Sequence, residues 1–244
     1  MTDFASISLQ EAKRLFSKER ISSYENLQQH FDNLALIGAI SKKLGIAEIL
    51  LRNKIDFIMS QNALCGNELW LENLPTELES SIDKSLQKHK IISTQSLGFW
   101  LKVIDFYKIH SQLFSYEFLE TLNFKRYYER NANRFKNGTR LRRYHKAKLL
   151  VHLLRNLRNR AFHFENLYKL NEDKKPRLIA SIKSSENLLA VINLETSKIQ
   201  VFLEDLISEF SKEAENRGGG KGSAKNETII AQKTENLLKG KENE

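Results

Sequence analysis

Apolar residues recur every three or four positions over most of the chain, the signature of helices with one buried face. Leu9, Ala12, Leu15 and Phe16 predict a short amphipathic helix over Ser8–Lys18. Ser22-Ser23 reads as the cap of a second helix over Tyr24–Ala39, which carries Leu27, Phe31, Leu34 and Ile37. Glycine lowers helix propensity, so Gly38 and Gly45 predict a break before a third helix over Ile46–Ser60. In that stretch Glu48 precedes Arg52 by four residues, the favourable order for a helix ion pair. If buried, this pair could position an active-site arginine. A turn is expected at Gly66-Asn67. Thr76 with Glu79 reads as a capping box opening a helix to Lys88.

Further helices are expected over Ser96–Ile109, with Gly98 marking a close helix contact, and over Tyr116–Phe135, stopping at Asn137-Gly138. A long central helix follows over Arg140–Leu170. Its apolar face is Leu150, Leu153, Leu154, Leu157, Ala161, Phe164 and Tyr168. Its opposite face carries His152, Asn156, Asn159 and His163, which fall within about 60° of arc on an ideal helix. Past Pro176 the pattern shortens, and Arg177–Ile182 and Leu188–Leu194 predict a β-hairpin. Glu195–Phe210 returns to helical spacing. The fold class is therefore mostly α, a helical bundle over residues 1–212 with a small hairpin near its end. Residues 213–244, with Gly218-Gly219-Gly220 and many charges, are expected to be a flexible or disordered tail, in which Ile229–Leu238 could form a helix on binding.

Composition narrows the class of function. The single Cys65 excludes an internal disulfide and a cysteine-rich zinc site, and is expected to be a small buried or half-buried residue. The histidines and acids show no ligand-spaced cluster, so neither a metal nor another cofactor is expected. There is no apolar run of spanning length and no signal-peptide pattern, which places the protein in the cytoplasm, away from membranes. The net charge is +9, and thirteen lysines and arginines lie between Lys125 and Arg160 against one acid, Glu129. With Tyr127, Tyr128, Phe135 and Tyr144 interleaved, this block suits contact with an RNA backbone and its bases. Arg142, Arg143, Lys148, Arg155 and Arg160 are the candidate phosphate contacts, against the plainer reading of a solvated helix face.

The chemistry concentrates in Arg155–Tyr168, where Arg158-Asn159 is followed after three residues by His163. Cleaving RNA by attack of its own 2′-hydroxyl needs a proton acceptor, a proton donor and a cation on the phosphate. Histidine titrates near neutrality and can take or give the proton. Arginine grips phosphate oxygens with a planar fork and stabilises charge building there. Asparagine can orient either group. Arg158 lies roughly 140° around and about 7.5 Å along an ideal helix from His163, so one straight helix does not form a compact site. Either the helix bends or a second copy supplies the missing group.

Arg158-Asn159-Arg160-Ala161-Phe162-His163 resembles the Arg-x4-6-His motif of the HEPN superfamily. With Glu48-Ile49-Leu50-Leu51-Arg52-Asn53, Leu97-Gly98-Phe99-Trp100 and the late hairpin and helix, residues 20–212 look like the Abi-like (abortive infection, AbiD/AbiF-type) bacterial branch. The resemblance implies a metal-independent endoribonuclease of anti-phage or toxin type. Arg158 and His163 would be catalytic and Asn159 their polar neighbour; the polar stripe adds His152 and Asn156 as possible site-lining residues, with helix surface or interface the favoured reading of His152. The resemblance also implies RNA as substrate, a homodimer through the motif-bearing helix, and an antitoxin or phage-derived trigger as a further partner. Some HEPN toxins carry a modifiable tyrosine two residues after the histidine; Glu165 departs from that pattern. The rival reading is a non-catalytic RNA-binding or interaction module, which would need the basic surface but not Arg158 and His163.

Overall fold

The computed structural model describes residues 7–61, 70–72, 74–79, 82–184 and 187–212. It is mostly helical. The segments α1 (Leu9–Phe16) and α2 (Lys18–Ile21) lead into α3 (Leu27–Gln61); α4 (Thr76–Glu79), α5 (Lys88–Thr94), α6 (Leu97–Tyr107) and α7 (Tyr116–Thr121) follow. Then come α8 (Arg143–Phe162), the strands β1 (Ile179–Ser184) and β2 (Asn187–Asn193), and α9 (Ile199–Ser211). The expected sites at Cys65, Gly66-Asn67 and the tail lie outside the described residues.

The expected break at Gly38 and Gly45 does not occur: α3 runs through both. Its buried positions repeat every seven residues, His30, Ile37, Leu44, Leu51 and Ile58 on one row and Asn33, Ile40, Ala47 and Lys54 on the other. That 3.5-residue seam is the pattern of helices packed along their length. Both glycines fall off it, where an added Cβ would meet nothing within 4 Å. Their cost of about 1 kcal/mol each in helix propensity is outweighed by burial of the seam, chiefly against α9. The helix starts later than Ser22-Ser23 suggests, with the Asn26 side chain accepting from the Gln29 N–H (2.9 Å). Nor does Gly98 mark a close helix approach; its nearest neighbour would be its own cap, Ser96 Oγ, at 3.5 Å.

Three expected helices are shorter than their apolar spacing suggests, each for a polar reason. Of the helix expected over Thr76–Lys88, α4 covers Thr76–Glu79, and Asp83 accepts from the Ser85 N–H and hydroxyl (3.0 and 2.6 Å) and holds a turn before α5. The helix expected over Tyr116–Phe135 stops at Thr121. Lys146, a buried residue of α8, donates to the carbonyls of Leu119, Glu120 and Leu122 (2.6, 3.2 and 2.9 Å), and Asn133 takes the Leu122 carbonyl and the Phe124 N–H. One lysine of the basic block is thus a buried helix cap. The central helix ends at Phe162, eight residues before Leu170: Phe164 turns left-handed (φ 53°) and Asn166 accepts from the Tyr168 N–H (2.9 Å).

The core joins α3, α6, α8 and α9, with Trp70, Trp100, Phe124, Tyr127 and Phe202 buried among them. The antiparallel hairpin pairs Ile179 with Asn193 and Ser184 with Asn187, with an irregularity after Ile182. It lies against α8, where Asn156 donates to the Ile179 carbonyl (2.7 Å). Buried Asn131 bonds the Asn193 backbone on both sides (2.8 Å each) and fixes the far strand. Among the described residues no helix is long and apolar enough to cross a membrane.

His30, 1% exposed, sits between Phe16, Tyr24 and Phe31 with neither ring nitrogen hydrogen-bonded. Burial, helped by the Arg20 charge, lowers its pKa below the ordinary histidine value. The unfolded chain therefore takes up a proton below about pH 6.5 that the folded chain refuses, and stability falls as pH drops through that window. His30→Phe should lose less thermal midpoint than wild type between about pH 7.5 and about pH 5.5; equal losses in melts at the two pH values would remove His30 from the account.

Candidate functional site

His163 is the residue at which α8 stops. Its backbone leaves the helix (φ −91°, ψ 4°), and the next carbonyl, of Phe164, is held by Arg20 Nη1 at 2.6 Å. One residue on, the Glu165 carbonyl accepts from the Asn33 side-chain amide (3.1 Å), and Asn33 Oδ1 accepts from the Leu167 N–H (2.9 Å). Asn166 reaches back to the Ser23 carbonyl (2.6 Å). The turn behind the histidine is thus built by polar groups from α2, α3 and the link between them.

The imidazole is exposed and stands on the wall of a pocket of about 370 Å³. Arg20, Arg160, Lys169 and Arg177 line the same pocket, with Glu19 and Glu165 as its acids. Arg160 is half-buried, with Nε 3.8 Å from Glu165. Burial lowers its pKa, Glu165 raises it and Arg177 lowers it again, the balance being downward from a value so high that the charge stays. Four cations against two acids around a concave space make it a candidate anion site, and a solvent-facing histidine on its wall can exchange a proton with a bound group.

Arg158 is held elsewhere. Its Nε lies 3.2 Å from Glu48 Oε2 on α3, and its guanidinium covers the Phe162 ring at 4.9 Å. Glu48 is buried and also pairs with Arg52, which donates to the Ser93 carbonyl (3.0 Å). The Glu48–Arg52 ion pair that the spacing suggested is present and buried, and Glu48 also holds Arg158. Within one chain Arg158 does not line the pocket of His163, whereas Arg160 does. Asn159 is exposed.

The polar stripe of α8 divides. Asn156 is bound to β1, and His152 Nε2 faces Asp105 on α6 at 3.7 Å, too far for a hydrogen bond. Neither lines the His163 pocket. Asp105 also takes the buried His110 (3.0 Å) and Lys148 (2.7 Å). Burial raises its pKa, but these partners outweigh it and hold the carboxyl far below its usual range. Lys148 is therefore a structural cation that ties α8 to α6. Arg143 is paired with Glu120 (3.3 Å) and lies over Tyr116 (4.2 Å). Arg142 is exposed at the start of α8, roughly 30 Å from His163 along the helix. Half-buried Arg155 lies 3.4 Å from Asn156 Oδ1. Of the interleaved aromatics, Tyr127 is buried with its hydroxyl on Asp205 (2.9 Å) and is no open stacking platform, whereas Tyr144 is exposed and makes edge contacts with His110 and His145. Among the described residues no group of three or more His, Cys, Asp or Glu is placed to hold a metal ion.

Sequence reasoning did not find Arg20, Lys169, Arg177 or Asn33. They lie far from His163 in the chain or in irregular segments, and no periodicity marks them. Compared with known proteins, the chain matches no family model, no curated protein and no solved structure.

Asn33→Ala removes three partners at once and should destabilise the fold by about 2–3 kcal/mol in urea unfolding. Glu48→Ala strands two arginines on α3 and α8 and should cost about 3 kcal/mol; a loss under about 0.5 kcal/mol would mean the network is solvated in solution.

Proposed function

We propose that the protein is a metal-independent endoribonuclease of the HEPN type, in which His163 moves the proton and the surrounding cations hold the phosphate. The observation that carries this reading is the exposed His163 imidazole on the wall of a pocket lined by Arg20, Arg160, Lys169 and Arg177. In the reaction the RNA 2′-oxygen attacks the adjacent phosphorus and its proton passes to a base. The 5′-oxygen leaves and takes a proton from an acid, and the other fragment ends in a 2′,3′-cyclic phosphate. An imidazole can serve either proton step, and guanidinium groups neutralise the charge on the phosphoryl oxygens.

Arg158 enters from a second copy. Phe162 and Phe164, each 49% exposed, flank His163 and supply apolar surface for a contact between two α8 ends. In such a homodimer, Arg158 with Asn159 of one copy would approach His163 of the other. Following the Abi-like resemblance, the enzyme would act in the bacterial cytoplasm in abortive infection, released by a phage-derived trigger or restrained by an antitoxin.

One observation favours a non-catalytic RNA-binding reading: Arg158 is already paired with Glu48 and, within one chain, does not share the pocket of His163.

The test is cleavage of single-stranded RNA in EDTA. Wild type should yield 2′,3′-cyclic phosphate ends, and His163→Ala should lose about a hundredfold or more in rate while still binding RNA. Arg158→Ala and His163→Ala, each inactive alone, should regain partial activity when mixed, because each mixed dimer contains one intact site. Binding without cutting by wild type would leave the RNA-binding reading; cleavage lost only on chelation would point to a metal-dependent hydrolase.

A further inference from the structure

The segment 127–136 does not become helix, and its backbone joins the hairpin instead: the Lys136 N–H donates to the Leu189 carbonyl of β2 at 2.8 Å. Between this segment and β2 lies a groove of about 550 Å³, which shares no lining residue with the His163 pocket. Tyr128, Arg130, Arg134, Phe135, Lys136 and Lys175 line it, and Asp173 is its acid. Asp173 is paired with Lys175 (3.1 Å). Arg130, Arg134 and Lys136 have no side-chain partner among the described residues, so three uncompensated cations face one wall. Tyr128 is half-exposed and has no aromatic partner among the described residues. Phe135 is braced by His145 (4.8 Å).

The groove is connected to the His163 pocket. Lys169 and Arg177 line both that pocket and a second hollow of about 400 Å³ beneath the 169–177 loop. Asn171 and Asp173 line both this hollow and the groove. The loop between them is a tight one. Leu170 bridges Pro176, the Asn171 N–H donates to the Lys175 carbonyl (2.9 Å), and Asn171 Oδ1 accepts from the Lys175 N–H (2.9 Å). Three depressions share walls in series, with Arg20, Arg160, Lys169 and Arg177 at one end, Arg130, Arg134 and Lys136 at the other, and the acids Glu172 and Asp173 in the hollow between; cations at both ends suit an extended polyanion better than a compact one.

We infer that the groove between the 127–136 segment and β2 is a subsite for unpaired nucleotides of an RNA whose phosphate lies at His163, with a base stacked on Tyr128 and the backbone held by Arg130, Arg134 and Lys136. This rests on the endoribonuclease reading for what happens at His163, but the subsite is defined by binding alone. A single strand fits because its bases are free to splay onto an aromatic face, whereas a duplex presents only its backbone.

Binding of a fluorescent uridine decamer and a uridine dinucleotide to the full chain, carrying His163→Ala to prevent cutting, tests it. Tyr128→Ala should weaken decamer binding about tenfold and leave the dinucleotide unchanged, and Tyr128→Phe should restore it. Arg134→Ala with Lys136→Ala should lower the salt slope of decamer binding by roughly 1.4. Decamer affinity and salt slope unchanged in these variants, each folded by circular dichroism, would overturn the subsite even if wild type cuts RNA. Wild type that cuts nothing but shows the Tyr128 effect would overturn the nuclease reading and keep the subsite. Equal affinity for a duplex, or for polyglutamate with no Tyr128 effect, would also overturn it, and a DNA decamer binding as tightly as RNA would do so for RNA as the ligand. Failure of wild type to bind RNA at all would overturn both.

Discussion

Asn33 is the side chain on which the candidate site depends. It is fully buried on α3, where an unpaired amide would be costly, and it meets that demand by bonding Tyr24, the Glu165 carbonyl and the Leu167 N–H. Those three partners come from the segment before α3 and from the turn after α8. One amide therefore holds both segments that wall the pocket. Arg20 on the Phe164 carbonyl and Asn166 on the Ser23 carbonyl join the same two segments beside it. The position of His163 follows from this seam of polar bonds more than from the helix that carries it.

A second buried polar centre does comparable work for Arg158. Glu48 takes one arginine from its own helix and one from α8, so α3 and α8 are also joined by charge. The arrangement separates the two arginines of the motif region by task. Arg160 faces the pocket, while Arg158 is turned to α3 and stacked on Phe162. A substitution at Arg158 therefore alters packing as well as charge, and its effect on any activity has to be read beside its effect on stability.

The basic block is likewise not one surface. Lys146 caps α7 from inside, Lys148 and Arg143 are paired with acids on α6 and α7, and Arg126 binds Asp205 on α9 through two nitrogens (2.8 and 3.0 Å). Among the described residues, the cations of the block without an acid partner lie mostly before α8, Arg130, Arg134 and Lys136 among them. A count of charge along the chain could not separate these groups, because pairing is decided by residues from other elements.

The mostly helical class, the hairpin, α9 and the apolar face of α8 were legible in the sequence, because burial of one face imposes a period that survives without knowledge of the partner. The Glu48–Arg52 pair could also be read, from a four-residue spacing, but not that Glu48 would hold Arg158 from another helix as well. Helix ends could not. Lys146, Asp83, Asn133 and Asn166 end or replace helices by giving backbone groups other partners, and a polar side chain does not announce in advance which carbonyl it will take. Gly38 and Gly45 misled for the opposite reason, since packing along the whole of α3 outweighs a local preference. The pocket at His163 was decided by tertiary structure alone. Its walls come from Arg20, Arg160 and Arg177, and only folding brings residues so far apart in the chain around one space.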